Sequence, residues 1–182
     1  MRFMKKGRMM KLVLFLMLSL ACGNTQEKVV TSESQKRKAP IGKADKILVE
    51  KSKRKLYLLR RDTIIATYSI SLGEHPKGHK TQEGDEKTPE GKYTIDYRNS
   101  KSSYHLSLHI SYPNQVDKDQ AAKRGVSPGG DIMIHGLPKK WAKLGKGHLL
   151  HNWTDGCIAV TNEEIDEIWK AVDNGIVIEI RP

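Results

Sequence analysis

The sequence predicts a mainly β domain, β-sandwich-like or a partly closed barrel with mixed sheets, carrying one or two short helices. Three observations predict it. Short segments with period-two alternation of apolar and polar residues recur along most of the chain. Helical periodicity is confined to two stretches. No longer repeat recurs, which excludes a solenoid or propeller array. At 182 residues the chain is long enough for one domain with its own core.

The elements follow in order. KILVE (46–50) and KLYLL (55–59) are short apolar runs with strand character. In TIIATYSISLG (63–73), Ile64, Ala66, Tyr68, Ile70 and Leu72 fall on one face, against Thr67, Ser69 and Ser71 on the other. GKYTIDY repeats the pattern with Tyr93, Ile95 and Tyr97, and YHLSLHISY does so with Leu106, Leu108 and Ile110. DIMIHG and the closing GIVIEI complete about seven strands. One helix is predicted in TNEEIDEIWKAVDNG: Thr161 and Glu164 have capping-box spacing. Its core face is Ile165, Ile168, Trp169 and Val172, and Gly175 suits a C-terminal cap. QVDKDQAAKRG is a second, shorter helix candidate.

The N-terminal region has a different character. Arg2, Lys5, Lys6, Arg8 and Lys11 precede an apolar run at residues 12–20, too short to span a bilayer comfortably, so residues 1–21 read as a signal peptide. Cys22, after Ala21, is expected to be the acylated residue of a lipoprotein, within LSLAC, which is similar to a lipobox but carries Ser19 three residues before the cysteine. Residues 22–44 are polar and aperiodic and read as a flexible linker, with the folded domain at residues 45–182. About 20 such residues reach roughly 25 Å as a coil.

The formal charge of +11 falls to +6 without the signal segment, with 27 basic residues against 21 acidic. No basic stripe interleaves with aromatics, so a nucleic-acid partner is not expected. Attraction to an anionic surface or polymer stays open beside ordinary solvated charge.

The chemistry centres on HNWTDGCIAV (151–160). If Cys22 is acylated, Cys157 has no disulfide partner, and a lone thiol in an exported protein is either inert or a nucleophile. Gly156 before it permits a tight turn that can aim backbone N–H groups at an oxyanion. His135 and Gly136 end the DIMIHG strand, where an imidazole is placed to meet a cysteine from another segment and raise its thiolate fraction.

IMIHG followed by WTDGCIAVTN resembles the YkuD-type L,D-transpeptidase domain of bacterial cell walls, matching at Thr154, Gly156, Cys157 and Asn162. SLG (71–73), KTPEGKY (87–93) and LHISYP (108–113) are also similar to that family. The resemblance implies that Cys157 attacks a stem-peptide carbonyl between a diamino acid and D-alanine, with His135 as base. It implies that the Gly136 carbonyl orients the imidazole and that N–H groups around Gly156 and Cys157 hold the oxyanion. Trp153, Thr154, Asp155, Asn162, Thr88 and His109 are the substrate-binding candidates. An amine from a second stem would resolve the thioester into a cross-link; water would make the enzyme a peptidase. A non-catalytic wall-binding lipoprotein is a third reading.

Asp155 stands where the family has histidine, and Ala159 where it has arginine. His148 or His151 is a candidate replacement for the missing imidazole. Together with His135 and Cys157 they make a zinc site conceivable, but bound metal would quench the nucleophile, and no cofactor or metal is expected. His105 and His109 share a strand face with Ser107, which reads as a polar sheet face or substrate groove. The polar segment 74–91 is either a mobile loop or a wall of the site. The expected partners are peptidoglycan stem peptides and, through Cys22, a membrane on the periplasmic side of the bacterial envelope, with the chain acting as a monomer.

Overall fold

Eight short strands join edge to edge into one curled, mixed sheet in the computed structural model, which describes residues 41–182. The expected signal peptide, Cys22 and most of the expected linker lie outside the described residues. The strands are β1 (Lys46–Glu50), β2 (Lys55–Arg60), β3 (Thr63–Ser69), β4 (Gly91–Asn99), β5 (Ser107–Ile110), β6 (Met133–His135), β7 (Ile158–Ala159) and β8 (Val177–Arg181). Their spatial order is β3-β2-β1-β8-β4-β5-β6-β7. The pairs β1–β8 and β6–β7 are parallel and the others antiparallel. Two α-helices, α1 (Gln115–Lys123) and α2 (Asn162–Ala171), and a 3-10 segment (Lys139–Leu150) complete the described elements.

The curl brings the two sheet edges together. Past the end of β3, the Ser71 N–H donates to the Ala159 carbonyl at 3.0 Å and the Ala159 N–H donates back at 2.9 Å. A further bridge joins Gly73 to Thr154. The partly closed barrel, rather than the sandwich, is therefore the architecture. Paired edges also remove the unpaired donors and acceptors that make open edges prone to association.

The core is aliphatic. Ile47, Val49, Leu56, Leu58, Ile70, Leu72, Ile95, Leu108, Ile110, Ile134 and Ile158 are all essentially inaccessible. α2 closes it with Ile165, Ile168, Ala171 and Val172, all buried, while Trp169 packs at its margin. The capping box forms as expected: the Thr161 hydroxyl accepts from the Glu164 N–H, and the Glu164 carboxylate accepts from the Thr161 N–H. The helix stops at Val172 rather than at Gly175, which sits in the turn before β8 with φ 85°. α1 has an equivalent box from Asn114 and Asp117.

Two bulges change the alternation read from sequence. Leu58 pairs with Ala66 but Leu59 pairs with Ile64, so Ile65 is the extra residue. Ile65 then packs against the core, and Ile64 is left 54% exposed. A second irregularity between Ile95 and Tyr97 turns Tyr97 outward, where it stacks on His109. Such insertions bend the strand and increase local twist, which helps a sheet to curl.

These burial differences make a stability test. Ile70→Ala is expected to cost about 2–5 kcal/mol by chemical denaturation, whereas Ile64→Ala, for all its place in the same run, should change stability by only about 0.5 kcal/mol.

Candidate active site

Parallel pairing of β6 with β7 sets Ile134 against Ile158 and His135 against Ala159. Cys157 comes just before β7 and Met133 begins β6, so the sulfur lies beside that strand's first residue. The Met133 N–H donates to Cys157 Sγ at 3.4 Å, and the thiol donates to the Asp131 carbonyl at 3.5 Å. His135 is two residues beyond Met133 on the same strand, hence on the same face. Cys157 and His135 both line one cleft of about 390 Å³. Its other walls include Tyr104, Asp131, Lys140, Trp141, Trp153 and Asp155.

Glycines allow the two close approaches that this needs. Gly156 has φ 129°, and a Cβ there would fall 2.5 Å from the Lys87 carbonyl oxygen. Gly136 is packed so that a Cβ would meet Asn162 Oδ1 at 2.7 Å and Ile165 Cγ2 at 2.9 Å.

The imidazole is oriented by its own strand end. His135 Nδ1 donates to the Gly136 carbonyl at 2.7 Å, which leaves Nε2 as the unprotonated nitrogen. Gly136 is held in turn: Asn162 Oδ1 accepts from the Leu137 N–H at 2.7 Å. Tyr104 lies against the His135 ring, 4.5 Å between centroids, and Trp153 stands edge-on to it at 5.7 Å.

Burial dominates the electrostatics of the pair. It pushes the Cys157 thiol up to about 11, a rise that the Met133 N–H opposes and that the carboxylates of Asp155 and Asp131 reinforce. Burial lowers the His135 imidazole to about 4, against the smaller opposing effect of its hydrogen bond to Gly136. The sequence suggests an imidazole that raises the resting thiolate fraction. The structure favours instead a neutral thiol beside a neutral imidazole, because the site is too dry to hold both charges.

The remaining candidates divide by where they sit. Trp153, Thr154 and Asp155 line the cleft, although the Thr154 hydroxyl is committed to the turn: it donates to the Cys157 carbonyl at 2.8 Å and accepts from the Gly156 N–H at 3.2 Å. The Gly156 N–H is thereby spent on the turn, and of the two expected oxyanion donors only that of Cys157 is left for the purpose. Thr88 is fully buried, and its hydroxyl accepts from the Gly73 N–H. His109 pairs with Asp96 at 2.6 Å and is not among the cleft-lining residues, nor is Asn162. His105 falls outside β5 and pairs with Asp166. His148 is buried behind the cleft wall with Nδ1 3.3 Å from the Ser71 hydroxyl, and burial lowers its pKa. His151 is exposed, and neither lines the cleft. Among the described residues no group of three or more His, Cys, Asp or Glu side chains is gathered closely enough to hold a metal ion.

Segment 74–91 packs under the site. Asp85 accepts from the N–H groups of Thr81, Gln82 and Lys87 and from Lys80 Nζ. Lys51 Nζ, buried, binds the Gly78 and Thr88 carbonyls and Glu90. Sequence reasoning missed Asp131 and Met133, which meet the sulfur through the main chain, and Tyr104, Lys140 and Trp141, which only folding brings to it. The one available signal was the pairing of a tryptophan with lysines in KKWAK before the motif.

The family described as YkuD, L,D-transpeptidase catalytic domain, matches residues 44–180. An Escherichia coli K12 protein provisionally named L,D-transpeptidase YafK is 29% identical over 116 residues, which cover 63% of this chain and 39% of that protein. Among solved structures, the helical cell shape determining protein Pgp2 of Campylobacter jejuni is similar at 26% identity and TM-score 0.55, over 78% of this chain and 49% of that one. Bdellovibrio bacteriovorus Bd1075 is similar at 28% identity and TM-score 0.52, over 76% of this chain and 48% of that one. The chain thus spans about two-fifths of the length of the curated relative and about half that of the structural ones.

The neutral pair predicts how a simple alkylating reagent behaves. Iodoacetamide labelling of Cys157 should be slow at pH 7 and rise roughly tenfold per pH unit up to about pH 10, because only the thiolate reacts. A rate that is already level at pH 7, read by intact mass, would indicate a thiolate–imidazolium pair instead.

Proposed function

Because the chain belongs to the L,D-transpeptidase catalytic-domain family, we propose that it is a peptidoglycan L,D-transpeptidase working through a Cys157 thioester. The observation that carries this is the shared cleft, with Cys157 Sγ at the start of β6 and His135 on the same strand, its Nδ1 tied to the Gly136 carbonyl.

Cys157 Sγ attacks the carbonyl carbon of the bond between a diamino acid and D-alanine. As the C–S bond forms, the thiol proton passes to His135 Nε2, so charge appears only while the substrate is being attacked. The Cys157 N–H faces the oxyanion. The tetrahedral intermediate then expels the D-alanine amine, which takes the proton from the imidazolium and leaves a thioester. An acceptor amine attacks the thioester, gives its proton to His135 and forms the new amide, and the proton returns to the sulfur. Water in place of the amine gives a shortened stem, the peptidase outcome.

The N-terminal segment completes the proposal. Residues 1–21 direct export, Cys22 carries the lipid, and residues 22–44 tether a monomeric catalytic domain on the periplasmic side of the envelope. Similarity to Pgp2, described as determining helical cell shape, supports a role in shaping the wall.

Incubation with purified muropeptides tests the reaction. Cross-linked dimers are expected from transfer, and shortened monomers from hydrolysis. A carbapenem should add its intact mass to the wild type and not to Cys157→Ala. A wild type that leaves muropeptides unchanged and takes no adduct over hours would leave only the non-catalytic, wall-binding reading.

A further inference from the structure

The cleft is electrically one-sided. Asp131 and Asp155 line it close enough to the sulfur to reinforce the rise in its pKa. Beyond them lies a second cavity of about 400 Å³, which both aspartates also line, together with Glu83 and Lys80. Lys80 offsets these acids in part at the sulfur, but it is buried and bound to Asp85 at 2.9 Å, so it is not free to meet a ligand. Among the residues lining the cleft, Lys140 is the one Lys or Arg.

Lys140 is also held ready. Its Nζ lies 5.3 Å from the centroid of the Trp141 ring, and that ring packs edge-on against Trp153 at 4.9 Å between centroids. The cation therefore rests on an aromatic stack anchored one residue before Thr154. Among the described residues no carboxylate pairs with it, although the chain offers many exposed acids. Ala159, at the position where a cation is absent, is fully buried and its main chain is hydrogen-bonded to Ser71, so that position brings no charge to the cleft.

We propose that Lys140 is a specificity-determining residue that binds a carboxylate of the donor stem peptide, fixing which way the stem lies across Cys157. This rests on the stem-peptide reading of the cleft given above. An anionic stem is repelled from Asp131 and Asp155 and drawn to Lys140, the one Lys or Arg that lines the cleft. The chain then runs with its carboxylate over Trp141 and its scissile carbonyl over the sulfur. The acidic wall is left to a neutral or cationic group. Lys140 touches neither the sulfur nor the imidazole, so its effect falls on substrate capture rather than on the chemical step.

Formation of the acyl-enzyme is followed by intact mass, with a free-carboxylate stem peptide and with the same peptide amidated at its carboxylates, in wild type, Lys140→Gln, Lys140→Arg and Cys157→Ala. With the free stem, Lys140→Gln should raise KM roughly five- to tenfold and leave kcat within about twofold, and Lys140→Arg should restore most of the loss. With the amidated stem, wild type should already show the higher KM, and Lys140→Gln should add nothing. If Lys140→Gln leaves KM for the free stem unchanged, or raises it equally for both stems, the carboxylate role is overturned while the thioester reading stands. If wild type gives no stem-derived adduct that Cys157→Ala abolishes, the thioester reading fails and the role of Lys140 falls with it.

Discussion

The Ser71 N–H donates to the Ala159 carbonyl, and the Ala159 N–H donates back to Ser71. This two-way bond joins the segment after β3, at one edge of the sheet, to β7 at the other. Everything at the site depends on it. β7 is only two residues long and could not hold its place through pairing with β6 alone. Fixed from both sides, it gives Cys157 a definite position at the entrance to β6. The neighbouring bonds extend the seam: the Thr154 N–H reaches the Leu72 carbonyl, and the Glu74 N–H reaches the Thr154 carbonyl. A thiol carried on a turn gains the precision of a sheet in this way.

The dryness that steadies the core also sets the chemistry. Ile134 and Ile158 are buried directly behind the reactive residues, and Tyr104 and Trp153 cover the imidazole from the cleft side. In such surroundings each ionised partner costs more than their attraction returns, so the resting proton stays on sulfur. The His135 imidazole, lowered to about 4, accordingly stays unprotonated across the whole neutral range. On the proposed mechanism, reactivity toward a small reagent and reactivity toward a substrate are separate properties, since only a substrate carbonyl would draw the proton across.

Much of the architecture was legible in the sequence because period two is a direct imprint of a half-buried strand. The segments seen as β3, β4 and β5 read as strands for that reason, β1 and β2 read as short apolar runs, and α2 read from its capping box and apolar face. β7 did not, since Ile158 and Ala159 are too few to show a period. The bulge at Ile65 was hidden because one inserted residue shifts the phase without altering composition. The segment around His148 forms largely a 3-10 stretch, broken at Gly145, whose lysine, tryptophan and leucine positions carry no simple helical stripe. At the site, Cys157 and His135 were legible because their chemistry is specific to residue type. Asp131 and Met133 act through main-chain groups that any residue would supply, and Lys140 arrives from a segment whose sequence looks like ordinary surface. Thr154 and Asn162 matched a motif, yet their polar atoms are engaged in shaping the turn and the strand end.

The buttress formed by residues 74–91 divides the labour of the domain. Its near end is fastened through Glu74 to the seam, and its far end presses the Lys87 carbonyl against Gly156 and buries Thr88 beneath Gly73. Between those fixed points, residues 75–84 lie largely at the surface, except Lys80, which is buried against Asp85 and lines a cavity with Asp155 of the Cys157 turn. Exposed side chains such as Lys77 and Gln82 can therefore vary in that span without shifting the sulfur, whereas Lys80 is tied to Asp85. Variation at those exposed positions would remodel one flank of the molecule while the cleft that holds Cys157 and His135 stays as it is.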